Sequence, residues 1–162
     1  MKKIDKAALV QQIKTELQAS FEILKAAALA TYEDATHEES KPENEYDTRG
    51  LEASYLAGAQ GKRLAEVEEV FAMYNFLNLR TLSKDDAIQL SAILEVSHNN
   101  KTLYIFLVPK GGGMNISFEG LNIQVVGSSS PLGESLLGLY VGDTAVVESQ
   151  KRTLEYDIIA IQ

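Results

Sequence analysis

The stretch EDATHEESKPENEYD, Glu33 to Asp47, decides how this chain is read. It holds seven acidic residues against one base, Lys41, a net of −6 in a chain of 162 residues whose total is −8. Pro42 has no place in a helix interior and restricts the residue before it, so the backbone breaks near the middle of the stretch. Long helical patterns run into it and out of it. The stretch is therefore predicted to be a charged loop at the far end of a helical hairpin.

On its N-terminal side, Asp5 to Tyr32 reads as one helix. Val10, Ile13, Leu17, Phe21, Leu24 and Ala28 recur at steps of three and four and draw a single apolar stripe. Asp5 is the candidate N-cap. The stripe ends among Ala26, Ala27, Ala28 and Ala30, which permit close approach by a partner helix. On the other side, Tyr46 to Leu77 carries a second stripe through Ala53, Leu56, Gln60, Leu64, Val67, Phe71 and Tyr74. Gly50, Gly58 and Gly61 fall inside it, and each costs about 1 kcal/mol against Ala in a helix. Close packing against the alanine-rich end of the first helix is the expected reason for them, with a functional bend as the alternative. Two sustained stripes joined by a short loop predict an antiparallel coiled-coil hairpin, an arm of roughly 40 Å at 1.5 Å rise per residue.

The texture changes at Arg80. Thr81 to Asp86 is polar and linker-like, and strand patterns follow: Ile88 to Val96, a turn at His98-Asn99-Asn100, Thr102 to Val108, then Leu121 to Val126, Thr144 to Glu148 and Thr153 to Ile161. Between them lies one short helix, with Ser130 as N-cap, Pro131 at its first position, Leu132, Leu136 and Leu137 facing inwards and Gly138 ending it. The predicted fold class is α+β, with residues 1–79 as the hairpin (tip at 33–47) and residues 80–162 as a small, mostly antiparallel β domain carrying one helix.

Composition removes several functions. Nucleic-acid binding by the chain alone needs Lys and Arg to neutralise phosphates, whereas both halves, 1–80 and 81–162, carry a net −4. No apolar run reaches the length of a membrane span. Asp5, Lys6, Gln11 and Gln12 break any signal-peptide core behind Met1-Lys2-Lys3, so a cytoplasmic chain is expected. There is no cysteine, and His37 and His98 are isolated, which leaves no cysteine or histidine metal site. Lys110-Gly111-Gly112-Gly113 lacks the Lys-Ser/Thr ending of a phosphate loop and reads as a β connection. Ser128 to Ser130 has no histidine beside it, and helix capping accounts for Ser130. Tyr46, Tyr55 and Tyr74 read as packing residues of the second helix. The acidic tip has two readings: a solvated loop that keeps the arm soluble, or oxygen ligands for a hard cation such as Mg²⁺. One or two loop carboxylates make a poor site alone, but they can complete a site supplied by a partner.

The whole pattern resembles the bacterial GreA/GreB transcript cleavage factors. Lys41 to Tyr46, K-P-E-N-E-Y, and the helix after it look like that family's D-L-K-E-N-A-E-Y tip and second helix. Ser129 to Val147, S-S-P-L-G-E-S-L-L-G-L-Y-V-G-D-T-A-V-V, is similar to the family's S-P-x-x-x-A-L-x-G-x-x-x-G-D stretch. The resemblance implies an FKBP-like C-terminal domain that docks on the rim of the RNA polymerase secondary channel, here through Ser129, Ser130 and Pro131. It implies an arm that enters the channel, where two tip carboxylates help hold the second Mg²⁺ of the polymerase active centre. The polymerase then hydrolyses its own backtracked transcript. The chain would be no enzyme itself, would carry no cofactor of its own, and would meet nascent RNA only inside the polymerase complex, with no DNA binding of its own and no membrane.

The family spaces its acids D-x-x-E-N. Ungapped, Glu39 falls on the Asp and Pro42 on the Glu; a shift of one puts Glu43-Asn44 on the Glu-Asn pair. Glu39 and Glu43 are thus the candidate pair, one residue wider than the family's, with Glu38, Glu45 and Asp47 as alternates. Arg49, Lys62 and Arg63 are the few bases near enough in sequence to steer RNA. The wider spacing leaves open a channel occupant that blocks cleavage. Two further readings are a prolyl isomerase, whose pocket would draw on Tyr104, Phe106, Phe118, Tyr140 and Tyr156, and a coiled-coil adapter.

Overall fold

In a computed structural model the described residues are 3–36, 49–149 and 152–162. They form two compact units, one of Met1–Gln11 with Asn75–Gln162, the other of Gln12–Tyr74.

Helix α1 runs from Lys6 to Thr36 and α2 from Arg49 to Asn75. The Asp5 carboxylate caps α1, accepting from the amides of Ala7 at 2.9 Å and Ala8 at 3.1 Å, two of the donors a helix start leaves without an internal partner. The α1 stripe is real. Val10, Ile13 and Leu17 are buried, and Phe21, Leu24 and Ala28 are half-buried. Within the helical unit, Lys14 Nζ sits 5.5 Å from the centre of the Phe71 ring, and Gln18, Phe21, Glu68 and Phe71 line one groove. Lys14 and the Gln18–Phe21 turn of α1 thus lie beside the Glu68–Phe71 turn of α2.

The α2 stripe is looser. Gln60, Leu64, Val67 and Phe71 are half-buried and Tyr74 is buried, but Leu56 is 53% exposed and Tyr55 72% exposed. The expected reason fails at Gly58 and Gly61: a Cβ built on either would meet nothing within 4 Å, and α2 runs through both without a break. They are not close-packing positions, so their entropic cost stands uncompensated. Gly58→Ala and Gly61→Ala should each stabilise the chain by about 0.5–1 kcal/mol, read as a rise in thermal midpoint. A fall at either position would show that its Cβ meets something after all.

At the end of α2, Tyr74 is 3% exposed and its hydroxyl has no hydrogen-bond partner among the described residues. Burial pushes its ionisation well above the usual tyrosine range. An orphaned buried hydroxyl costs stability, so Tyr74→Phe should raise the urea midpoint by the equivalent of about 1 kcal/mol. In the native protein the raised value works against the fold at high pH. The unfolded chain ionises Tyr74 from about pH 10 while the folded chain does not, so stability falls as pH rises past 10. Tyr74→Phe should remove that part of the alkaline loss, and an unchanged alkaline limb would refute the assignment.

The β-bearing unit is a six-stranded sheet in the order β3-β4-β2-β1-β6-β5. The strands are β1 Ile93–His98, β2 Lys101–Val108, β3 Asn115–Phe118, β4 Leu121–Gly127, β5 Thr144–Ser149 and β6 Arg152–Ile161, with helix α3 at Pro131–Leu136. All neighbouring pairs are antiparallel except β2 with β4. Ile105, Phe106, Leu107 and Val108 are all wholly buried; β2 is covered on both faces, which is why it reads as an unbroken apolar run. One face gathers Leu94, Val96, Ile105, Leu107, Val126, Ala145 and Ile158 with Leu136 of α3. Alternation sends Ile93, Phe106, Ile123 and Val125 to the other face, where they are also buried.

Three expectations need correction. The first strand does not begin at Ile88. Ser91 sits at φ 67°, a left-handed conformation that breaks strand geometry, and pairing starts only at Ile93. Ile88 instead exchanges bonds with the end of α3, donating to Leu139 O at 2.8 Å and accepting from Gly138 N at 2.9 Å. The buried Ser91 is satisfied: its Oγ accepts from the Arg80 amide at 2.8 Å and its own amide donates to Leu107 O at 2.8 Å. Leu137 does not face inwards with Leu136 but is 39% exposed as the C-cap of α3. Strand β3 is additional to the expected set; its exposed-buried alternation, Asn115 to Phe118, folds back on β4 through Glu119 and Gly120, both at positive φ.

The final residue joins two segments of this unit. Gln162 pairs with Ile93 through both backbone groups, at 2.8 and 2.9 Å. Its side-chain amide pairs with the backbone of Ile4: Ile4 N donates to Oε1 at 2.9 Å, and Nε2 donates to Ile4 O.

Candidate functional site

The residues proposed to dock a partner stand where β4 leaves the sheet and α3 begins. Ser130 is fully occupied by the fold. Its Oγ accepts from Gly133 N at 3.0 Å and donates to Gly127 O at 2.8 Å, and Pro131 follows at the first helical position. Ser130 is thus a cap, with its hydroxyl turned to its own backbone. Ser129 and Pro131 are exposed and free to meet a surface.

Beside them lies a groove of about 610 Å³. Its rim is Lys110 to Gly113 and Ser129 to Pro131, and its walls include Val126, Leu132, Val147, Leu154 and Tyr156. The glycines make this shape possible. A Cβ on Gly112 would lie 2.4 Å from Gly127 N, and one on Gly133 would lie 2.1 Å from Gly127 O. The glycine loop and the start of α3 therefore both press against the end of β4, backbone to backbone. The sequence reading of the triple glycine as a plain β connection missed this role of Gly112.

Tyr156 is held from the far side by His98, whose ring stacks on it at 4.5 Å with 21° between the planes. His98 Nδ1 lies 2.7 Å from Glu155 O. A carbonyl only accepts, so Nδ1 carries the proton and Nε2 is left to accept from Asn99 Nδ2 at 2.8 Å. His98 clamps the β1–β2 turn onto β6. Tyr156 is the single aromatic on the groove lining, while Phe106 and Phe118 are buried and Tyr140 is 49% exposed. The aromatic set that an isomerase pocket would draw on does not converge there.

The tip candidates Glu38, Glu39, Glu43, Glu45 and Asp47, with His37 and Tyr46, lie outside the described residues. Lys62 and Arg63 are exposed on α2. Among the described residues no three or more His, Asp or Glu side chains gather in a way that could hold a metal, and no helix is long and apolar enough to cross a membrane.

No protein-family model matches the chain. It is 26% identical over 154 residues to transcription elongation factor GreA of Flavobacterium johnsoniae, a match that covers 94% of this chain and 91% of that one. Among solved structures, GreA factor homolog 1 of Thermus thermophilus is 19% identical, covering 92% of this chain and 94% of its own, with a TM-score of 0.36. The corresponding protein of Thermus aquaticus is 21% identical, covering 91% and 92%, with a TM-score of 0.38. The sequence match to that GreA runs nearly the full length of both chains.

Proposed function

We propose that this chain is a transcription elongation factor that binds RNA polymerase, with its helical pair entering the secondary channel and the β unit docking at the channel rim. The observation that carries the reading is the match to a GreA over 94% of the chain, which takes in helices, tip and β unit in one span. The exposed Ser129 and Pro131 on the lip of an apolar-walled groove suit a protein contact at the rim. Binding of this kind draws on aliphatic and aromatic walls with a polar edge.

On this reading Glu39 and Glu43 would supply oxygen ligands to the second Mg²⁺ of the polymerase, and that ion would supply the activation of water for hydrolysis of a backtracked transcript. Hydrolysis belongs to the polymerase, and the chain supplies ligands and position. A second reading is favoured by one feature of the sequence, Pro42 at the place of an expected ligand: the arm fills the channel without completing the metal site and competes with cleavage factors.

The test is a backtracked elongation complex with this protein and Mg²⁺. Shortened transcripts that increase with protein concentration support the cleavage role. Saturable binding without shortening, together with suppression of cleavage by a competent factor, supports the second. No binding to polymerase at micromolar protein overturns both.

A further inference from the structure

We propose that the outer edge of β5 takes up, as an added strand, an extended partner segment in which apolar residues alternate with Lys or Arg. β5 closes one side of the sheet, with β6 as its strand neighbour. Its other side carries backbone groups with no strand to meet.

The ladder identifies those groups. Gly142 N donates to Ile158 O at 2.9 Å, and Ile158 N donates to Asp143 O at 2.9 Å. Bonded and non-bonded pairs alternate along an antiparallel ladder. The register sets Thr144 opposite Asp157, Ala145 opposite Tyr156, Val146 opposite Glu155, Val147 opposite Leu154 and Glu148 opposite Thr153. The pairs at Ala145 and Val147 are therefore bonded, and Thr144, Val146 and Glu148 turn their N–H and C=O groups away from β6. All three residues are exposed. Their strand, TAVVES, has no proline, no lysine and no register shift, devices that commonly close a sheet edge to other chains.

The side chains choose the occupant. Thr144, Val146 and Glu148 share the outer face with Thr153, Glu155 and Asp157, and Thr144 Oγ1 donates to Asp157 Oδ1 at 2.7 Å. Among the described residues of β5 and β6 the charged groups are Glu148, Glu155 and Asp157 against Arg152. Arg152 stands opposite Ser149 at the hairpin end. A second copy pairing edge to edge would set this acid against itself in a chain of net −8, whereas opposite charges across strands attract. Lys or Arg opposite Thr144, Val146 and Glu148 would lay its stem over Val146, which is 46% exposed, and bring its charge towards the three acids. The alternate residues fall on the inner face beside Ala145 and Val147. Val147 is a wall of the groove beside Ser129 and Pro131, so an apolar residue there continues that wall. Backbone bonds give such strand addition its affinity, and alternate side chains give it selection.

The probe is the peptide acetyl-Lys-Val-Lys-Val-Lys-Val-Lys-amide, with hydrogen exchange of the whole protein followed amide by amide by NMR. One control replaces each lysine by glutamate. A second N-methylates the lysines, which keeps the charge and removes the donors that would face β5. The Lys-Val peptide should slow the amides of Thr144, Val146 and Glu148 about tenfold at nine-tenths occupancy, and neither control should. Val146→Pro removes an outward donor and no bond to β6, the edge position where a strand tolerates proline, and should weaken binding at least about fivefold. Glu148→Lys, a change on the exposed face, should weaken binding of the Lys-Val peptide about fivefold and admit the Glu-Val peptide; its result stands alone if proline disturbs β5. No slowing at these amides up to about 1 mM peptide, or equal binding by the N-methylated peptide, overturns the edge site. Equal binding of the Glu-Val peptide to the native protein overturns the basic partner. Slowing that grows with protein concentration in the absence of peptide makes the occupant a second copy and likewise overturns it. The assay contains no polymerase, so its outcome is separate from that of the proposed function.

Discussion

Gly133→Ala should unfold the β-bearing unit at urea concentrations where the native protein is intact. The added methyl would lie 2.1 Å from Gly127 O, 2.8 Å from Ser128 Cα and 2.9 Å from Gly127 C, all backbone atoms. No side chain can rotate away to make room. Gly127 O is itself pinned, because it accepts from Ser130 N at 3.0 Å and from Ser130 Oγ at 2.8 Å. Either α3 lifts from the end of β4 or the cap breaks, and lifting α3 withdraws the wholly buried Leu136 from its cluster. Overpacking in a place that can relax costs about 1–3 kcal/mol; with rigid backbone on every side the cost should lie at or above the upper end. Far-UV circular dichroism across a urea series reads it. A midpoint equal to that of the native protein would mean that α3 and β4 separate freely, and the account of the groove floor would be wrong. The same change at Gly58 or Gly61, where nothing stands within 4 Å, should move the midpoint the other way. The chemistry of a glycine-to-alanine change is constant; what the new methyl touches sets its sign.

That contrast marks what a sequence can disclose. Periodicity reports burial well where one face of one element is concerned: the α1 stripe from Val10 to Ala28 and the unbroken apolar run of β2 appear in the structure as read. The caps were equally legible at Asp5 and at Ser130-Pro131, because a cap is a local bond between residues two or three apart. Glycine carries no such local signal. Gly58 in a helix and Gly133 in a helix have the same sequence character, yet one faces open space and the other a backbone oxygen. The positive φ of Ser91 was hidden for a related reason. It is stabilised by bonds to Arg80 and Leu107, eleven and sixteen residues away, which no pattern of neighbours encodes. The same holds for the pairing of Gln162 with Ile4 across the length of the chain. The candidate docking residues were half legible. Their place at a helix start and the capping role of Ser130 could be read, but not that Ser129 and Pro131 would stand exposed beside a groove.

Replacing both tip glutamates, Glu39→Gln with Glu43→Gln, should abolish transcript cleavage if the chain is a cleavage factor, while binding to polymerase persists. Glutamine keeps the length and hydrogen-bonding shape of glutamate and removes the charge that holds a divalent ion. Losing one contributor to a metal's surroundings costs about 10–100-fold in affinity or activity, and each single variant should fall by at least that much. If the two carboxylates act on one ion, the double variant should fall little further than the worse single, since groups that work as a unit are not additive. Raising Mg²⁺ should restore part of the rate of a single variant, because the lost term is affinity for the metal. Glu45→Gln should change little. Spacing gives the sharper test. Deleting Ser40 turns Glu39-Ser40-Lys41-Pro42-Glu43-Asn44 into Glu-Lys-Pro-Glu-Asn, restoring the interval of D-x-x-E-N. If the native chain is a competent factor whose loop is built for the wider interval, the deletion should lower cleavage. If it is a channel occupant kept inactive by that interval, the deletion should raise cleavage from background, and the two glutamine changes should leave its suppression of other factors intact. The direction of change on removing one serine therefore separates a lender of ligands from a plug.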